Sequence, residues 1–86
     1  MLANKTIGIL GAGNMGEALI AGLVKASIVE PNHVIASRRS EIALTFLQDT
    51  YGIRTTRDNV ELVRTSDVVV LAVKPQVMAD ILRQTA

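Results

Sequence analysis

Apolar residues follow two alternating rhythms along the chain. Thr6–Leu10 (TIGIL) and Val68–Val73 (VVVLAV) are short apolar runs without polar alternation, as expected of strands buried on both faces. Elsewhere apolar residues recur three and four positions apart. Met15, Ala18, Leu19, Gly22, Leu23 and Ala26 predict a helix over Met15–Ala26. Ala43, Phe46, Leu47 and Tyr51 predict the inner face of a second helix, Glu41–Tyr51, and Gly52 stands where a helix end favours left-handed backbone. Asp58–Arg64 reads as a short helix, with Asp58 as its N-cap and Glu61 reaching back as in a capping box. Pro75 suits the first turn of a last helix whose apolar face is Val77, Met78, Ile81 and Leu82. His33–Ala36 and Ile53–Thr55 are the remaining short strands. Val29–Asn32, with Pro31, reads as a loop and Ser37–Ser40 as a polar corner.

The resulting order is βαβαβαβα, which implies a parallel sheet with right-handed crossovers. The fold class expected is α/β: a Rossmann-like parallel sheet with helices on both faces and strand order 3-2-1-4. In a complete doubly wound sheet the fourth strand is flanked by a fifth, and no fifth strand pattern follows here. The expectation is therefore an incomplete domain, residues 1–86 being the N-terminal part of a dinucleotide-binding domain. The apolar edge Val68–Val73 is expected to pair with another copy or to be otherwise covered.

Composition narrows the partners. The 86 residues make at most one small domain, and 49% of them are hydrophobic, so a core is affordable. With one Phe, one Tyr and no Trp, that core must be aliphatic. A net charge of +1 is too balanced for a nucleic-acid groove or a membrane-surface patch, and stacking aromatics are missing. Without cysteine there is no disulfide framework or cysteine zinc site, which fits a reducing cytoplasm. No metal site is expected. The longest apolar run falls far short of the roughly 20 residues a membrane span needs, and the N-terminus lacks a signal-peptide pattern.

The chemistry begins where the first strand gives way to the first helix, at Gly11-Ala12-Gly13-Asn14-Met15-Gly16. Strand, GxGxxG and helix in that order form the dinucleotide-binding context. Gly11 permits the tight turn, Gly13 lets a pyrophosphate approach the backbone, and Gly16 lets the helix pack on the strand. The N–H groups of Asn14 and Met15 would then face the phosphates, aided by the helix dipole. The second strand ends in Ser37-Arg38-Arg39, where a fold preferring NAD usually carries an acid for the ribose hydroxyls. A carboxylate would repel a 2′-phosphate and arginines would bind it, so the cofactor expected is NADP(H), with NAD(H) as second candidate. Ala72-Val73-Lys74-Pro75-Gln76 closes the fourth strand at the switch point beside the glycine turn. Lys74 there suits a phosphate or ribose hydroxyl as well as a solvated helix start. Asn59, at a helix start, is a candidate for the adenosine side, although taken alone it reads more readily as a helix cap. His33 lies at the opposite strand end and reads as structural. No acid/base pair or shared carboxylate surface appears, so no catalytic residue is assigned to this chain.

The series GILGAGNMGEALIAGL, IASRRSE and YGIRTTRDNVELVRTSDVVVLAVKPQ resembles the N-terminal part of pyrroline-5-carboxylate reductases over nearly the whole chain. The resemblance implies NAD(P)H-dependent reduction of 1-pyrroline-5-carboxylate to L-proline, within proline biosynthesis. It implies a cofactor lined by Gly11–Gly16, Ser37–Arg39, Asn59 and Ala72–Pro75. Members of that family carry a second, helical domain that builds the dimer and most of the substrate site. That domain is absent from this sequence, so the chain is expected to be the cofactor half of a homo-oligomeric enzyme and inactive by itself. Two alternatives stand beside it: the cofactor domain of a β-hydroxyacid or 6-phosphogluconate dehydrogenase relative, and a non-catalytic NADP-sensing module.

Overall fold

Local chemistry sets most element boundaries in the computed structural model, which describes residues 4–11, 13–72 and 83–85. The elements are β1 (Ile7–Leu10), α1 (Asn14–Lys25), β2 (Val34–Ser37), α2 (Glu41–Tyr51), β3 (Arg54–Thr56), α3 (Asn59–Thr65) and β4 (Val68–Leu71), with a 3₁₀ turn at Pro31–His33. Residues 83–85 are also helical. Val73 and the apolar positions Val77, Met78, Ile81 and Leu82 lie outside the described residues.

Helix α1 begins at Gly13, which has no side chain to cap it, and carries Glu17 in its first turn and Lys25 in its last, both suited to the helix dipole. It ends in paired bonds from Ser27 N–H to Val24 C=O and from Ile28 N–H to Leu23 C=O, each 3.1 Å. This Schellman arrangement places Ser27 at φ 56°, where glycine is the usual choice. Helix α2 starts at Ser40, whose hydroxyl accepts from Ala43 N–H, and stops at Gly52 in the left-handed region (φ 71°). Helix α3 is capped by the Asp58 carboxylate, which accepts from Val60 and Glu61 N–H. The second half of the expected capping box is made differently: Asp58 N–H donates to Thr56 Oγ1 at 3.0 Å rather than to Glu61.

The four strands are parallel in the order β3-β2-β1-β4, a Rossmann-like α/β sheet. Strands β1 and β4 are pinned at their start by reciprocal bonds, Thr6 N–H to the Asp67 carboxylate and Asp67 N–H to Thr6 C=O, both 2.8 Å. On one face Ile7, Ile9, Val34 and Ala36 pack with Ile20 and Leu47 from the helices. On the other, Leu10 and Ile35 meet Leu62 of α3. Contact with α3 is close enough that a Cβ at Gly8 would require the Ser66 and Leu62 side chains to move. A Cβ there would overlap Ser66 Oγ and Leu62 Cδ2 and lie 3.0 Å from Ser66 Cβ.

Two expectations about burial change. Phe46 is about half exposed, and Leu44, 6% exposed, takes the inner position on α2 beside Leu47. The reason is register: Ile42, Leu44, Phe46 and Leu47 spread around the helix, and only the position of the sheet selects among them. Ser37 leaves the polar corner and joins β2, 1% exposed, whereas His33 belongs to the preceding 3₁₀ turn. In β4, Val68 and Val69 are 40% and 37% exposed at the edge of this sheet. No helix among the described residues is long and apolar enough to cross a membrane.

Candidate functional site

All four strands deliver their carboxyl ends to one edge of the sheet. The pairing Ile9↔Ala36 and Ser37↔Thr56 aligns the ends of β1, β2 and β3. Leu10 C=O accepts from Ala72 N–H at 3.0 Å, so the residue after β4 lies beside the last residue of β1. The glycine turn, the Ser37–Arg39 corner and Ala72 are thus brought together by topology, not by nearness in sequence.

The glycine turn shows a division of labour. Gly11 has φ 69°, a conformation that side-chain-bearing residues rarely adopt, and its C=O accepts from Gly13 N–H at 2.7 Å. Gly16 is buried in α1. Gly13 is neither strained nor crowded: its φ is −81°, and among the described residues a Cβ built on it would find only Gly11 C=O, at 3.9 Å. Internal packing therefore does not require glycine at this position. What its bare backbone leaves is open approach to an uncapped helix start, where orphan N–H groups and the dipole favour an anion. Asn14 and Met15 form this first turn, and Met15 is 74% exposed.

Ser37 is tied to that turn. Its buried Oγ accepts from Gly11 N–H at 3.2 Å, linking the end of β2 to the start of the loop. Arg38 and Arg39 follow it and are exposed. Sequence reasoning had passed over Arg57, which follows Thr56 at the end of β3, next to β2. Its Nη1 lies 3.3 Å from Oε1 of Glu41, the first residue of α2. The signal that finds it is the strand order, since β3 neighbours β2 only once the sheet is assembled. Asn59 starts α3, while the cap itself is Asp58; the Asn59 side chain donates to Gln84 Oε1 at 3.0 Å. Ala72 is buried at the end of β4. Ala12, Val73, Lys74 and Pro75 lie outside the described residues.

Farther along α1 and α2, Tyr51 O–H donates to Glu17 Oε2 at 2.9 Å. That bond, partial desolvation and the Glu17 charge raise the phenol above its ordinary 10.0. No group of His, Asp or Glu among the described residues is arranged to hold a metal ion.

Known proteins resemble this chain in sequence and in fold. The pyrroline-5-carboxylate reductase of Methanosarcina acetivorans is 47% identical over 81 residues, which cover 94% of this chain and 30% of that protein. A solved pyrroline-5-carboxylate reductase from Coxiella burnetii superposes with a TM-score of 0.84 at 35% identity, over 90% of this chain and 28% of that one. The Plasmodium falciparum pyrroline carboxylate reductase, solved with NADP bound, gives a TM-score of 0.81 at 29% identity, over 96% of this chain and 29% of that one. The chain thus spans about 30% of the length of the relatives it matches. Residues 6–86 match the family model described as NADP oxidoreductase, coenzyme F420-dependent, and the chain belongs to that family.

Proposed function

We propose that this chain is the NADP(H)-holding N-terminal part of a pyrroline-5-carboxylate reductase. The observation that carries the reading is Gly13: a glycine at an uncapped helix start, whose Cβ would meet nothing closer than Gly11 C=O, at 3.9 Å, among the described residues. A pyrophosphate fits that space because the backbone donors there have no side chain competing for them. The first-turn N–H groups of Asn14 and Met15 would hold the pyrophosphate, and Arg38 and Arg39 the 2′-phosphate. Asn59 would take the adenosine side, exchanging Gln84 for the ligand. Ala72 through Pro75 would lie toward the nicotinamide ribose. When bound, the cofactor supplies a hydride to the imine carbon while the ring nitrogen takes a proton, giving L-proline and NADP⁺.

Supporting the choice of reaction are the relatives named above, which carry the name of one imine reduction along most of this chain. Supporting the phosphorylated cofactor are the Plasmodium falciparum protein's bound NADP and the absence of an acid at the end of β2. The substrate site and the homo-oligomer interface belong to a second domain in this reading, which leaves the chain alone without turnover. A cytoplasmic location rests on the cysteine-free composition. Fluorescence titration of the chain with NADPH and NADH tests the cofactor assignment, with NADPH expected to bind more tightly. NADPH oxidation with 1-pyrroline-5-carboxylate, by a protein carrying this chain at its N-terminus, tests the reaction. A flat trace from a folded, NADPH-binding protein would overturn it.

A further inference from the structure

Arg57 is more rigidly presented than a surface arginine after a strand needs to be. Its predecessor Thr56 is locked into the sheet opposite Ser37. Thr56 Oγ1 also accepts from Asp58 N–H at 3.0 Å. Asp58 is fixed in turn, its Oδ1 accepting from Val60 N–H at 2.9 Å and Glu61 N–H at 3.2 Å. Both flanks of Arg57 are therefore held by specific bonds. The side chain is directed as well, with Nη1 3.3 Å from Glu41 Oε1. Its guanidinium thus spans from the end of β3 to the start of α2, the helix that Arg38, Arg39 and Ser40 lead into.

Stability gives little reason for this arrangement. The two side chains are 61% and 78% exposed, and ion pairs so solvated are worth close to nothing. A carboxylate at a helix start is already favoured by the dipole without a partner. What the placement does achieve is proximity: a forked cation follows β3 beside the corner where the two other arginines emerge. Because Ser37 faces Thr56, Arg38 and Arg57 are the first residues past the ends of adjacent strands. A guanidinium has five donors in a planar fork, so one edge can stay on Glu41 while another meets a phosphate oxygen.

We propose that Arg57 is a further specificity-determining residue, a third cation for the cofactor's 2′-phosphate. The proposal rests on the cofactor reading above. The test is fluorescence titration of the wild-type, Arg57→Ala and Arg57→Lys chains with NADPH and with NADH. Arg57→Ala is expected to weaken NADPH about tenfold, the loss of one charge-assisted contact, and to change NADH by less than about twofold. Arg57→Lys keeps the charge but not the fork, and is expected to recover only part of the loss. Thermal midpoints of the three chains should agree within about 2 °C, since the pair is exposed. A wild-type chain that prefers NADPH, with an Arg57→Ala variant that loses both nucleotides equally or neither, overturns the role of Arg57 alone. A wild-type chain that binds neither nucleotide overturns the cofactor reading and this role together.

Discussion

At the end of β1 the candidate site is made of main chain; at the ends of β2 and β3 it is made of long side chains. Gly11 and Gly13 offer backbone geometry, a positive φ and an uncapped helix start. Arg38, Arg39 and Arg57 offer guanidinium groups on exposed stems. Backbone N–H groups at a helix start recognise a pyrophosphate, which every dinucleotide has, and cannot distinguish one cofactor from another. In the proposed reading the arginine corner can, because a 2′-phosphate is the difference between NADP and NAD. In the first region Gly11 is fixed by its positive φ, whereas Gly13 can be changed without crowding any described residue. The second is replaceable side chain by side chain. The comparison predicts that affinity and selectivity can be broken separately.

The sharpest break is Gly13→Asp. Asp is a favoured N-cap, and among the described residues nothing comes closer than 3.9 Å to the added Cβ, so α1 should gain a few tenths of a kcal/mol. The same carboxylate would occupy the first-turn donors and repel a pyrophosphate. Losing two hydrogen bonds to a charged group, about 1.5–3 kcal/mol each, corresponds to a loss on the order of 100-fold or more. Titration should show NADPH and NADH weakened alike, with a thermal midpoint equal to or above the wild-type value. A Gly13→Asp chain that binds either nucleotide normally would remove the turn from the site.

Next in size is the double change Arg38→Ala with Arg39→Ala. Its expected effect falls on one cofactor only: NADPH weaker by about 10- to 100-fold, NADH within about twofold. Equal losses would mean that the corner reads something both cofactors share.

Ser37→Ala separates the two regions at their joint. Its hydroxyl is buried and accepts from Gly11 N–H at 3.2 Å. Removing it leaves that N–H unpaired, at a cost of about 1–3 kcal/mol. A chain of this size should lose about 4–8 °C of thermal midpoint per kcal/mol. Because the damage is to the turn, both cofactors should weaken in parallel. A selective loss of NADPH would instead place the Ser37 hydroxyl among the phosphate ligands.

How much of this was legible in sequence depended on how local the cause was. The bounds of α2, the left-handed Gly52 and the Asp58 cap follow from residues within one turn of each other, and the structure has them as expected. The strand order followed from the alternation of elements and the handedness of crossovers. Three features needed the assembled sheet. Leu44 replaces Phe46 on the inner face of α2 because helical spacing alone permits more than one apolar stripe. Gly8 looked like any strand residue until Leu62 and Ser66 were packed against it. Arg57 and the Ser37–Gly11 bond connect positions that become neighbours only when β2 lies between β1 and β3. The glycine turn could be read because its signature is contiguous, whereas the selectivity corner is distributed over two strand ends and only half of it is.

The smallest expected effect comes from the bond that joins the helices behind the two regions. Tyr51 closes α2, and its O–H donates to Glu17 in the first turn of α1. The hydrogen bond raises the phenol above 10.0, so the folded chain holds this proton to higher pH than the unfolded chain does. The stability linked to it is therefore full below pH 10 and is lost as pH rises through the folded value. Urea midpoints of the wild-type and Tyr51→Phe chains should differ by a small, constant amount between pH 7 and 9, and that gap should shrink above pH 10. A gap that persists there would mean that ring packing, not the O–H, accounts for it. Both cofactor affinities should stay within about twofold, because neither the Gly13 approach nor the arginines depend on the bond. If Tyr51→Phe weakened NADPH alone, α2 would be transmitting to the corner through Glu41, and the separation of affinity from selectivity would fail.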